Sequence, residues 1–401
     1  MQPEDSSRVI DFPVSLWKWI PEPLLKRFPI LAKWRRALAR DHANEGKKML
    51  EQKAMGAAIQ HYVKAVQLEP NDIGYLNALG RIWYEQKELE KAGSCFQKVL
   101  SIDFHDAEAL KGLGFTFHFQ GKLDDAVYCY LRFIQVRPDD ASVHANLISA
   151  LEALGKYEDA IAAGKRASII FPKNATFPFF IARNKYDAGE IEAALEPLAR
   201  AAELDPSNSE IQRLRGNIYA LLKETEKSLQ SFRKAVELDS GNAAAYLDMA
   251  QLLNKEDEDV AYLAAAKKAR EIYQAKGDLI GMKYAYWDEG WAYYRLGRME
   301  ECVHASEQAL AIDSSMSSVQ FNLGLALLHT GKTQKAKEAY QKAMNLQAIG
   351  SLKKDGIDDL EAALEKNPDL PGAKEILGDL NAAYDAAKSK LGSKMAPKQD
   401  N

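Results

Sequence analysis

The sequence predicts an all-α chain of antiparallel helix pairs stacked as a solenoid. Three observations carry that expectation. Small residues and prolines recur every 34 residues, apolar residues inside each period follow helical spacing, and the alternating pattern of strands is absent. Ala58, Ala92, Ala126, Ala160 and Ala194 are each 34 residues apart. Gly46, Gly80, Gly114, Ala182 and Gly216 keep the same clock, as do Gly121, Gly155 and Gly189. So do Pro70, Pro138, Pro172 and Pro206, with Phe104 at the skipped position.

Residues 1–38 stand outside this register. Segment 8–38 is aromatic and proline-rich, with Phe12, Pro13, Trp17, Trp19, Pro21, Pro23, Phe28, Pro29 and Trp34. It is also basic, with Arg8, Lys18, Lys26, Arg27, Lys33, Arg35 and Arg36 against Asp11 and Glu22. Three readings stand side by side. The segment is a cap whose Trp side chains cover the first repeat, a membrane-surface anchor of Trp and cations, or a docking arm for a partner or a second copy. Trp17, Trp19, Trp34, Arg35 and Arg36 would carry the docking role.

Each period reads as two amphipathic helices. From Asp106, the first carries Leu110, Leu113, Gly114 and Phe117, spaced i, i+3, i+4, i+7. Gly121 permits the left-handed residue that ends it. The second helix buries Ala126, Tyr130 and Phe133, and Pro138 stops it. Gly114 and Ala126 lie where the helices cross, and a larger side chain would force them apart.

These residues resemble the tetratricopeptide repeat, whose pattern the stretch 107–140 fills with Leu110, Leu113, Gly114, Phe117, Ala126, Tyr130, Phe133 and Pro138. The register extends to 39–72, 73–106, 141–174, 175–208 and 209–242. It departs from the pattern at Phe133 in place of the second Ala, Ile148 and Ala182 in place of Gly, Gly164 in place of the aromatic, and Ser228 in place of the first Ala. Gly216 to Gly290 spans 74 residues, two periods plus six, while Ala269 still keeps the old register. The six extra residues therefore fall between Ala269 and Gly290, in a longer variant of the repeat at 243–282. Repeats 283–316 and 317–350 follow. The resemblance implies a right-handed superhelix of nine repeats over 39–350. Residues 351–391 read as degenerate closing helices with a polar outer face, and 392–401 as a polar, disordered tail.

The residues offer no catalytic signature: GxSxG, GxxxxGK[ST], HExxH and a strand-borne GxGxxG are all missing. The histidines, His42, His61, His105, His118, His144, His304 and His329, are scattered, and His42 with Glu45 lacks further metal ligands. Cys95, Cys129 and Cys302 form no CxxC, which makes a reducing, cytoplasmic compartment the default. Glu256–Asp259 reads as the acidic start of a helix. Lys+Arg numbers 53 and Asp+Glu 57, a net charge of −4, which argues against nucleic acid as the main partner. No apolar run reaches the length of a membrane span. The expectation is a non-catalytic scaffold or assembly factor with no cofactor and no metal, binding protein. Its rivals are a membrane-surface recruitment factor and a noncatalytic subunit of an enzyme complex. Self-association through terminal helices stays open.

The resemblance implies that the first helices line a concave groove that receives a helix or extended peptide. Its slots hold Asn77, Arg81, Tyr84 and Glu85; Lys111, Phe115, His118 and Phe119; Phe179, Arg183 and Tyr186; Arg213 and Asn217; Tyr284, Trp287, Trp291, Tyr294 and Arg295; and Phe321, Leu325 and His329 with Asn322 beside them. Two patches are expected. Trp287, Trp291, Tyr294, Phe321 and Leu325 would form an apolar wall, unless the longer repeat buries them. Arg81, Lys111, Arg183 and Arg213, interleaved with Phe115, Phe119 and Phe179, would grip an acidic or amphipathic peptide, unless they are plain solvated charges. The family's carboxylate clamp is broken here. It begins at Arg213 and Asn217 but meets Asp248, then Tyr284 and Asp288. Its asparagine ladder is sparse, at Asn44, Asn146 and Asn322.

Overall fold

The structure, a computed structural model, describes residue 20, residues 22–346 and residues 349–395, and no strand occurs among them. The chain divides into two compact units between Leu204 and Asp205. The first contains α1 (Glu22–Arg27), α2 (Pro29–Glu51), α3 (Met55–Leu68), α4 (Ile73–Glu85), α5 (Leu89–Ile102), α6 (Ala107–Phe119), α7 (Leu123–Val136), α8 (Ala141–Ala153), α9 (Tyr157–Ile170), α10 (Thr176–Asp187) and α11 (Leu195–Leu204). The second contains α12 (Ser209–Leu221), α13 (Thr225–Leu238), α14 (Ala243–Lys255), α15 (Asp259–Lys276), α16 (Leu279–Arg295), α17 (Met299–Ile312), α18 (Ser317–His329) and α19 (Thr333–Asn345). It closes with α20 (Ile349–Ser351), a π-helical stretch (Leu352–Asp358), α21 (Asp359–Lys366) and α22 (Ala373–Met395).

A capping column that the repeat pattern does not mention sets where first helices begin. Asp72, Asp106, Asp140, Asn208 and Asn242 accept backbone N–H bonds from Tyr75, Ala109, Val143, Glu210 and Ala245. Each satisfies a donor that the first turn leaves without a helical partner. In α2, Pro29 opens the helix instead, and the helix runs 23 residues, straight through position 38.

First helices end in a left-handed residue. Lys53, Lys87, Gly121, Gly155, Gly189, Lys223, Asp257, Gly297 and Gly331 all have positive φ. The column is continuous although glycine fills only part of it. At the other positions an L side chain is held near φ 60° at a cost of about 1 kcal/mol.

Within a repeat the two helices meet at one glycine. A Cβ on Gly80 would lie 2.8 Å from Phe96, on Gly114 2.6 Å from Tyr130, on Gly216 2.5 Å from Phe232, and on Gly324 2.6 Å from Tyr340. The ring occupies the place of the missing side chain, and all four rings are buried. In repeat 141–174 the two columns hold buried Ile148 on α8 and Gly164 on α9, and the side chain against Gly164 is Ile181 of α10. In 243–282 both positions are small, Ala250 and Ala266, and the bulk comes from Tyr262, which stands in the column of alanines.

The longer repeat extends two helices. α15 has 18 residues and α16 has 17, against 14 in α13 and 13 in α14. Gly277, left-handed at φ 67°, and Asp278, whose side chain caps Gly281, join them. The closing helices pack their apolar face inward: Leu352, Ile357, Leu360, Leu370, Ile376 and Leu380 share one buried cluster with Phe321, Leu325, Leu328 and Tyr340.

The left-handed column makes a stability prediction. Lys87→Gly should stabilise its unit by roughly 0.5–1 kcal/mol, and Gly121→Ala, with open space around its Cα, should cost about 1 kcal/mol through the backbone alone. Amide hydrogen exchange in α4 and α6 reads both changes. Equal protection in the three proteins would mean that this position is not strained.

Candidate grooves in the two units

In the first unit, three first helices and one second helix bring aromatic side chains together. Tyr84 from α4, Phe115, His118 and Phe119 from α6, Tyr130 from α7 and Asn146 from α8 line a cleft of about 340 Å³. Tyr84 meets Phe119 edge-on with centroids 5.7 Å apart, and Phe115 meets Tyr130 at 5.8 Å. Phe119 is exposed at the mouth. Burial lowers the His118 pKa, so its imidazole is neutral near pH 7 and sits 3.4 Å from the Tyr130 hydroxyl.

The expected cationic track is largely taken up inside the protein. Lys111 bonds Asp140 at 2.6 Å, Arg183 pairs with Glu152, and Arg213 reaches Asp248 and Glu210 at 2.8 Å each. Asn217 donates to the same Asp248 at 3.0 Å. The reason is that an acid lies beside each of these slots and offsets the cost of half-burying a cation: the capping Asp140, Glu152 near the end of α8, Asp248 in the middle of α14 and Glu210 one turn before Arg213. Burial alone would raise Asp140, but hydrogen bonds from Lys111 and Ser142 hold it down at about 2. Arg81 alone of the four cations is exposed. Phe179 is half-buried, and the Arg183 guanidinium lies 5.8 Å from its ring centroid.

The apolar wall also needs correction. Phe321 and Leu325 are 0% and 1% exposed and belong to the core. Sequence reasoning placed them on the groove because it did not foresee the π-helical stretch, whose Gly356 sits against the Phe321 ring. Trp287, Trp291 and Tyr294 stay half-buried, and Trp291 stacks on Tyr294 with centroids 5.2 Å apart. Tyr284 is exposed, and Asn322 is buried at the groove floor. Arg295 is tied down by Asp257, by Asp259 at 2.7 Å and by Asn254.

Around these tryptophans lies a cleft of about 390 Å³. Gln251, Asn254 and Lys255 from α14, Tyr262 from α15, Trp287, Asp288 and Trp291 from α16, Ser318 and Asn322 from α18, and Lys354, Asp355 and Asp359 from the closing segment line it. Asp288 is 9% exposed, and one of its oxygens accepts the Tyr262 hydroxyl at 2.9 Å. Burial pushes its carboxyl up to about 7, against the hydrogen bond from Tyr262. Burial, then the charge of Asp355, pushes Asp359 up to about 7 as well. Sequence reasoning missed Tyr262, Asp355 and Asp359 as groove residues. The available signal was Tyr262 itself, a large ring where the column holds alanine.

At the N-terminus, Trp17 and Trp19 lie outside the described residues. Trp34 is 44% exposed, because α2 turns Leu31, Leu38 and Ala39 inward instead. It therefore does not cover the first repeat. Arg35 bonds Glu69 at 2.9 Å, and Arg36 donates to the Ala32 carbonyl. Burial raises the thiols of Cys129 and Cys302 to about 12, which keeps them protonated and unreactive.

Family models described as tetratricopeptide repeat match residues 119–175, 181–243, 284–316 and 317–349. The chain is a tetratricopeptide-repeat protein. Among solved structures it is similar to YrrB, described as a TPR protein with an unusual peptide-binding site, at 21% identity and a TM-score of 0.41, covering 46% of this chain and 95% of that one. It is similar to the MamA protein at 21% identity and 0.41, covering 42% and 92%. It is also similar to Pseudomonas aeruginosa pilF at 16% identity and 0.44, covering 55% and 99%. No curated protein matches the chain by sequence. Among the described residues no helix is long and apolar enough to cross a membrane.

Asp288 makes the stability of the second unit depend on pH. Its folded pKa of about 7 lies above the ordinary 3.8, so its contribution is complete below about pH 4 and is lost as pH rises through 7. Asp288→Asn keeps an acceptor for Tyr262 and cannot ionise. The variant should melt higher than wild type, by an amount on the order of 1–3 kcal/mol at pH 8 and less at pH 5. Thermal melts at both values read it; an identical shift at the two pH values would contradict the buried ionisation.

Proposed function

We propose that this protein is a non-catalytic interaction scaffold whose concave slots receive a segment of a partner protein. One observation carries the reading. In each unit, side chains from the first helices of successive repeats converge on a cleft with aromatic walls and a few polar groups at its floor. That composition suits the anchoring of a partner side chain, because rigid rings supply contact area at small entropic cost. Membership of the tetratricopeptide family supports the general role.

The interaction would be driven by burial of the Trp287 and Trp291 indoles, which stay half-exposed in the free protein. Their removal touches the groove more than the core, because the buried cluster beneath them is built from Phe321, Leu325, Tyr340 and the closing helices. The reading also accounts for Tyr284, an exposed ring one turn before Trp287 with the Lys283 ammonium 5.0 Å from its centroid.

Trp287→Ala combined with Trp291→Ala should weaken partner binding by about 2 kcal/mol or more, the usual scale of hot-spot truncation. Affinity capture with quantitative mass spectrometry, followed by titration of the recovered partner, compares the double variant with wild type, and circular dichroism checks the fold. Unchanged affinity in a folded double variant would remove the groove from the mechanism.

A further inference from the structure

We propose that the tryptophan-walled cleft of the second unit takes a cationic side chain, Lys or Arg, from a basic segment of the partner. This rests on the groove reading above and names the chemistry of what enters. The argument begins with carboxylates. In the second unit several buried or half-buried acids have cations within reach: Asp248 has Arg213, Asp259 has Arg295, Glu289 has Arg270 and Asp313 has Lys283. Asp288, like Asp355 and Asp359 of the closing segment, has none among the described residues, and it is the most deeply buried of the three. It is nine-tenths buried, and one oxygen holds the Tyr262 hydroxyl. Its side chain lines the cleft. A buried carboxylate without a cation is costly, and a ligand that brings the cation recovers that cost.

The rest of the cleft agrees. Asp355 and Asp359 approach from the closing segment; Asp355 accepts the Ser318 hydroxyl and neither acid has an ion pair among the described residues. The indoles of Trp287 and Trp291 form the wall, and indole faces attract ammonium and guanidinium groups. Gln251 and Asn322 offer amide oxygens, while that of Asn254 already accepts from Arg295. Lys255 and Lys354 also line the cleft; both are exposed, and the charge of Lys354 acts on Asp359 but not on Asp288. An acidic ligand would meet Asp288, Asp355 and Asp359, and an apolar one would seal Asp288 away without a partner.

A library of random twelve-residue peptides displayed on phage, selected against the whole protein at pH 7.5, tests this. The expected result is a set of binders that share a Lys or Arg, lose affinity on Trp287→Ala with Trp291→Ala, and weaken about tenfold or more when that cation is replaced by norleucine. The same replacement should cost almost nothing against Asp288→Asn with Asp355→Asn, which retain acceptors for Tyr262 and Ser318. Binders that depend on the tryptophans but carry no shared cation, or whose cation is indifferent to the two Asp→Asn changes, would overturn the cationic assignment and leave the groove reading intact. No binders, or binders indifferent to the tryptophans, would overturn both. A synthetic peptide of residues 1–38 serves as competitor; displacement of the selected binder by it would assign the cleft to this chain's own basic segment and overturn the partner assignment.

Discussion

The close crossing of the two helices within each repeat is the constraint on which the rest depends. A glycine on the first helix lets a ring from the second lie on its backbone, as Tyr130 does on Gly114 and Tyr340 on Gly324. The ring is then buried without a cavity, and the helices approach closely enough for their ridges to interlock. Neither the volume at this crossing nor the helix that supplies it is the same in every repeat: Gly290 meets Ser306 with no ring between the helices. In 141–174 the bulk is Ile148 on the first helix, and Gly164 takes Ile181 of the following repeat. Ala250 with Ala266 empties both positions and hands the volume to Tyr262. That last solution has a chemical consequence, because a tyrosine brings a hydroxyl to a place where alanine brings nothing. The hydroxyl donates to Asp288, and the groove gains a buried carboxylate.

A second regularity governs charge. The acids that cap first helices serve two masters, accepting backbone N–H groups of their own helix and side chains from the repeat before. Asp106 takes Asn77 as well as the Ala109 N–H, and Asp140 takes Lys111 as well as the Val143 N–H; Asp313, in the loop before α18, takes Lys283 at 2.7 Å. Cations in the groove slots are therefore partly engaged in joining repeats. Such pairs stabilise little by themselves, but they fix the stacking of one repeat on the next and subtract positive charge from the groove. This explains why a near-balanced composition yields a groove whose deepest unpaired charges are carboxylates.

Much of the fold was legible because the repeat samples the same packing problem many times. The helix pairs, the left-handed terminators at Gly121, Gly155 and Gly189, and the added residues between Ala269 and Gly290 all follow from the register. The terminator column was only partly visible. Lys53, Lys87, Lys223 and Asp257 adopt the conformation under the constraint of the surrounding fold, not by preference. The groove was legible as a set of positions and poorly legible as a set of free side chains. Whether Lys111 or Arg213 is available depends on an acid about one period away, and whether Phe321 is available depends on a π-helical stretch that no repeat column describes.

The departures from the repeat, more than its agreements, point to the chemistry. The Tyr262 ring serves packing where Ala250 and Ala266 are both small, but its hydroxyl and the acid that receives it answer no packing demand. Tyr262, Asp288 and the π-helical stretch each break a local rule, and they break it around the same cleft. Each break carries a cost: a buried acid is pushed toward neutrality at the pH where its charge would be useful, and the helix of the closing segment is widened. Costs confined to one place are what the proposed binding site would require. In the binding proposed above, the acid held without a cation would be a preorganised half of an ion pair. It is desolvated before the ligand arrives, so much of the penalty that weakens most buried pairs has already been met in the free protein.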